Sequence, residues 1–102
     1  MKYQLVLQFP ASSAEDFERL VALEKKVTEL LGSEHEVDGH DCGTGEVNLF
    51  VHTNEPGEAF EIVKRTLLSE GSPNLIVAFR ELKGDTYTVL WPERYQKEFR
   101  VA

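Results

Sequence analysis

The hydrophobic period of this chain switches repeatedly between about 2 and about 3.6 residues, and the order of the switches limits its fold more than any other property. From Lys2 to Phe9 the chain alternates, with Tyr3, Leu5, Leu7 and Phe9 on one side and Gln4, Val6 and Gln8 on the other. That is the pattern of a half-buried strand, which Pro10 ends. Ser12 and Ser13 are both N-cap candidates, with Glu15 and Asp16 at the capping-box spacing behind them, Asp16 being the poorer match. Phe17, Leu20, Val21, Leu23, Val27, Leu30 and Leu31 then form a broad apolar stripe, and Gly32 follows it. A helix is expected over Ala14–Leu31.

Period 2 returns in a strongly acidic stretch, Glu34 to Asp41, and again in Glu46 to Thr53, where Val47, Leu49 and Val51 alternate with Glu46, Asn48, Phe50 and His52. Asn54 and Pro56 open a second helix that buries Phe60, Val63 and Leu67 and stops at Gly71. A fourth strand is expected over Asn74–Leu82 and a fifth over Thr86–Trp91, joined by a two-residue turn at Gly84-Asp85. Pro92 suits the first position of a short helix, on which Tyr95 and Phe99 share a face, so the tail should fold back on the body. The first six elements follow the split βαβ, ferredoxin-like order. The expectation is one α+β domain over residues 1–102, an antiparallel sheet with both helices on one face, a fifth strand and a short C-terminal segment.

The totals fit that reading. A chain of 102 residues, 41% hydrophobic and 28% charged, is long enough to bury one core. No apolar run reaches the roughly 20 residues of a membrane-spanning helix. The N-terminal stretch alternates and lacks a small-residue cleavage site, so it reads as a strand and not a signal peptide. The single cysteine, Cys42, allows no internal disulfide and fits a reducing compartment, so a cytoplasmic location is expected. A formal charge of −7 with no Lys/Arg cluster excludes ordinary nucleic-acid binding and favours a basic partner.

The densest polar segment is Asp38 to Phe50, D-G-H-D-C-G-T-G-E-V-N-L-F. It is no phosphate loop, because no Lys-Ser/Thr follows, and no dinucleotide fingerprint, because a strand follows where a helix is needed. Gly43 and Gly45 serve a turn, and Gly39 reads as a bulge or close-packing position. Val37, Val47, Leu49 and Val51 all want the helix-covered face, so odd positions should pair with odd ones. A three-residue loop, Gly43-Thr44-Gly45, and a five-residue loop, Asp41–Gly45, both satisfy this. Either loop puts His40 beside Asp38, Glu46 and Asn48 on the face away from the helices.

Metal binding by His40, Asp41, Cys42, Glu46 and His52 is disfavoured, since Glu46 and His52 lie about 20 Å apart along a strand. Cys42 and His40 could cooperate in nucleophilic chemistry only if Cys42 is still within the strand, and no oxyanion donors are evident. His35 falls at a strand start, half-buried at the sheet edge, and receives no role. No cofactor and no metal are expected.

The uncovered sheet face carries a polar half, Asp38, His40, Glu46 and Asn48, with Arg80 nearby. Its other half is apolar and aromatic: Phe50, Ile76, Tyr87, Val89 and Trp91. Covering about 400 Å² of such surface is worth roughly 10 kcal/mol before entropic costs, so the tail, a second copy or a foreign partner should lie over it. The stretches D-G-H-D-C-G-T-G-E-V-N-L-F-V, N-E-P-G-E-A-F and W-P-E-R-Y together resemble small uncharacterised bacterial proteins of ferredoxin-like build, some of which resemble toxin-immunity proteins. That resemblance implies a stoichiometric binder and no catalytic residue. The functional expectation is therefore a non-enzymatic protein-binding or self-associating domain, with Asp38, His40, Glu46, Asn48, Phe50, Arg80, Tyr87 and Trp91 as its contact residues. The alternatives are a small-molecule sensor, with Asp38, His40, Asn48 and Arg80 orienting the ligand, and a small enzyme using His40 as acid or base.

Overall fold

The computed structural model describes residues 1–43, 45–70 and 74–101. In chain order the elements are β1 (Tyr3–Pro10), α1 (Ala14–Leu31), β2 (Glu36–Gly43), β3 (Glu46–Thr53), α2 (Pro56–Glu70), β4 (Ile76–Glu81) and β5 (Thr88–Trp91). The strands form one antiparallel sheet in the order β2-β3-β1-β4-β5, so the chain is α+β, with two helices and five strands among the described residues. The stop expected at Gly71 and the loop residue Thr44 lie outside the described residues. Among the described residues no helix is long and apolar enough to cross a membrane.

Local chemistry sets the element ends. Ser13 caps α1, its hydroxyl accepting from the Asp16 N–H at 3.1 Å. The Asp16 carboxylate reaches back to accept from the Ser12 N–H, also at 3.1 Å. Gly32, at φ 63°, closes the other end, its N–H donating to the Thr28 carbonyl. The alternation of β1, β3 and β4 sends Leu5, Leu7, Phe9, Val47, Leu49, Val51 and Val77 to the helix side. There they meet Leu20, Leu23, Val27 and Leu31 of α1 and Ala59, Phe60, Val63 and Leu67 of α2. Lys26 pairs with Glu70 and Arg19 donates to the Glu70 carbonyl at 3.1 Å, joining the two helices at the surface.

The other face of the sheet carries a second, smaller core. Val6 and Ala78 are fully buried there under Phe99 of the tail, with Phe50, Ile76, Tyr87, Val89 and Val101 packed around them. Phe99 is 8% exposed, and its ring meets Tyr87 edge-on with centroids 4.9 Å apart. The tail makes this contact without the expected helix. Residues 92–101 contain no helical segment, and a single turn, Tyr95 N–H to the Pro92 carbonyl, follows Pro92.

Two irregularities redirect side chains that strict alternation would have fixed. In β2, Val37 pairs with Val51, but the next partners are Gly39 with Phe50, His40 with Leu49 and Cys42 with Val47. Asp38 is the extra residue of a bulge, and beyond it odd positions pair with even ones. The hairpin closes at Gly43 opposite Glu46, leaving only positions 44 and 45 between the strands, shorter than either expected loop. In β5, Ala78 pairs with Val89 and Val77 with Trp91, so Leu90 is skipped. Tyr87 and Val89 keep the face expected of them, whereas Trp91 turns to the helix side. Its ring lies 6.3 Å from that of Phe60, with the Lys64 ammonium 4.8 Å above it.

Candidate functional site

The expected contact residues do not form one site. Glu46 and Asn48 belong to a latch that holds the tail. Gln8 Nε2 donates to Glu46 Oε2 and Asn48 Oδ1, each at 3.0 Å, and to the Arg100 carbonyl at 2.8 Å. Asn48 is fully buried and donates in turn to Glu46 Oε2 at 2.8 Å. Arg80 is taken up by the β4–β5 connection, its Nη1 donating to the carbonyls of Glu81, Leu82 and Gly84. Phe50 and Tyr87 belong to the second core. Trp91, expected on the uncovered face, packs against α2 because of the skipped Leu90.

His40 makes the largest correction. The odd-with-odd rule placed it beside Asp38, Glu46 and Asn48. The bulge at Asp38 places it opposite Leu49, on the side that faces α1. There His40 Nδ1 lies 3.0 Å from Glu24 Oε1, and its ring meets Phe17 edge-on at 5.8 Å. The second carboxylate oxygen, Glu24 Oε2, is buried without a hydrogen-bond partner among the described residues. Cys42 lies within β2, two residues beyond His40, and is exposed. His40 and Cys42 therefore share a strand side.

The ground between α1 and β2 is an open groove of about 660 Å³, lined by Val21, Glu24 and Thr28 from α1 and by Val37, Asp38 and Gly39 from β2. Phe17 and Val21, both 37% exposed, extend the apolar stripe of α1 toward β2. Sequence reasoning passed over Phe17, Val21 and Glu24 as site residues. The available signal was the position of Glu24 between Leu23 and Val27, a carboxylate at the margin of an apolar stripe.

β2 is an edge strand, and its residues are mostly exposed. Asp38 stays on the uncovered face, its Oδ2 3.6 Å from His52 Nε2. Glu36 pairs with His52 across the ladder. These three can bring one ligand atom each within 4.8 Å of one another. His35, expected half-buried, is buried at 3% exposure. Its Nδ1 lies 2.7 Å from Thr53 Oγ1.

Comparison of the chain with protein-family models, with curated proteins and with solved structures finds no match.

Proposed function

We propose that this chain is a non-enzymatic protein-binding domain, and that its working surface is the acidic edge strand β2 together with the adjoining side of α1. The observation that carries this reading is the open edge itself. Among the described residues β2 offers an eight-residue strand with no strand on its outer side and with Glu36, Asp38 and Asp41 exposed along it. An unpaired edge is a template for an incoming extended segment, whose main chain supplies the affinity. The carboxylates select what may dock. Two acidic edges repel, which disfavours pairing with a second copy, whereas a basic segment is attracted by both the edge and the net charge of −7. Phe17 and Val21 offer apolar contact beside the strand. The contact surface is thus the sheet edge and the α1 side beside it, not the sheet face away from the helices, because the apolar half of that face already lies under Phe99. Toxin neutralisation is one specific form of this activity. A ferredoxin-like class for the fold belongs to the same proposal and is supported by the order β2-β3-β1-β4 with both helices on one face.

The test is an NMR titration of the labelled chain with an extended peptide of alternating Lys and Val. Amide shifts should concentrate in residues 36–43 and along α1. They should vanish in a Glu36→Lys/Asp41→Lys variant and weaken at about 1 M salt, where screening acts within about 3 Å. Shifts confined to β4, β5 and the tail would overturn the reading.

One observation favours a second reading, acid–base chemistry at His40. Glu24 engages Nδ1, which leaves the other ring nitrogen of this exposed residue to exchange a proton with a ligand. If His40 also assists Cys42, His40→Ala should slow alkylation of Cys42 by iodoacetamide, and an unchanged rate would remove that cooperation. The four residues suggested for a small-molecule sensor do not converge: Arg80 serves a turn, Asn48 serves the tail latch and His40 faces α1.

A further inference from the structure

Where the end of α1, the start of β2 and the start of α2 meet, a buried imidazole points at two carboxylates. His35 is 3% exposed, and its Nε2 has no hydrogen-bond partner among the described residues. That nitrogen lies 3.6 Å from Glu58 Oε2, too far for a hydrogen bond. Glu34, His35 and Glu58 can each bring a ligand atom within 4.8 Å of the others. The opposite ring nitrogen, Nδ1, is engaged by Thr53 Oγ1, which also accepts from the Glu55 N–H at 2.9 Å.

We propose that Glu34, His35 and Glu58 form a binding site for a divalent first-row transition cation of the zinc type. The chemistry follows from the donors. Metal-bound histidines usually have their second nitrogen held by an oxygen, which fixes the ring and its tautomer, and Thr53 stands in that position. An imidazole with two carboxylates suits zinc, cobalt or nickel, whereas calcium and magnesium take oxygen donors. Bonds of about 2.0–2.2 Å to a shared ion put ligand atoms roughly 3.3–3.5 Å apart in a tetrahedral site. The His35–Glu58 separation of 3.6 Å is close to that spacing. Three protein donors leave a coordination position for water or a ligand. The ion would also tie the two helix ends to the sheet edge, since Glu58 lies in the first turn of α2 and Glu34 just after α1.

The test adds Co²⁺ and then Zn²⁺ to chelator-treated chain, reading Co²⁺ absorption and the ¹⁵N signals of the histidine rings. Saturation at one equivalent, with the His35 Nε2 signal perturbed, is the expected result. Glu58→Gln and Glu34→Gln should each weaken binding by at least about tenfold, the lower bound for losing a residue that merely supports a ligand. Both carboxylates are on exposed residues, so these variants keep the fold where a change at buried His35 would endanger it. His52→Gln removes the half-buried imidazole of the Glu36–Asp38–His52 group on the other face and should leave binding intact. The proposal is overturned by a lack of saturable binding, by binding indifferent to both Gln variants, or by binding lost in His52→Gln. It is equally overturned if the His35 ring proves to be an imidazolium paired directly with Glu58 and unresponsive to either metal.

Discussion

Gly39 decides which face His40 occupies. Its φ of 117° is a backbone conformation that side chains rarely tolerate, and a Cβ added there would meet nothing within 4 Å. The constraint is therefore the backbone and not space. Gly39→Ala should lower stability by about 1–3 kcal/mol in urea denaturation. An unchanged midpoint would mean that the bulge can form elsewhere. Asn48 makes the second residue-scale prediction. It is fully buried and bonded to both Gln8 and Glu46, so Asn48→Ala should cost about 1–3 kcal/mol by leaving buried polar partners unsatisfied. An effect below about 0.5 kcal/mol would show that the latch is solvated. At this scale the sequence is informative yet incomplete. Gly39 reads as a bulge position from its place in an alternating strand. The consequence for His40 follows only once the turn is known to be two residues long, because one extra residue inverts every side chain between the bulge and the turn.

At the scale of elements, α1 and β3 have the boundaries that periodicity and capping residues imply, because both have strong apolar patterns and clear end signals. β2 runs later than expected, Glu36–Gly43, and β5 is shorter, Thr88–Trp91. Both are edge strands, where pairing on one side alone gives the pattern less to fix. The cap of α1 carries a pH prediction. Hydrogen bonding from the Ser12 N–H, followed by the charge of Arg19, holds the Asp16 carboxyl below its ordinary value of 3.8. A lowered folded-state pKa means that the ionised cap favours folding above pH 3.8 and that this contribution is lost as pH falls through the lowered value. Amide exchange in the first turn of α1 should therefore rise, relative to the rest of the helix, as pH falls below 3.8, and Asp16→Asn should abolish that dependence. A wild-type first turn that keeps its relative protection through this range would contradict the assignment. The bulge and the carboxylates along β2 are features that disfavour edge-to-edge pairing of strands.

For the molecule as a whole, the apolar surface opposite the helices explains why the tail is needed. Sequence alone identifies that surface and its need for cover. It leaves open whether the tail, a second copy or a partner provides it, since each would remove the same area from water. Phe99 provides the cover within one chain. Phe99→Ala should lower stability by about 1.5–3 kcal/mol, less than an average core Phe loss of about 3–5, because the tail can undock without unfolding the sheet. Released from its cover, the face around Val6, Tyr87 and Val89 should associate, and sedimentation should show concentration-dependent dimers. A variant that stays monomeric at full stability would contradict this role. The two sides of the sheet are occupied differently, with His40 turned toward α1 and the tail seated on the opposite face. A NOESY spectrum of the labelled chain tests both at once. His40 ring protons should give cross-peaks to Phe17 and Leu49, and Phe99 ring protons to Tyr87 and Val6. Cross-peaks from His40 to Asn48 and Gln8, with none from Phe99 to the sheet, would contradict it.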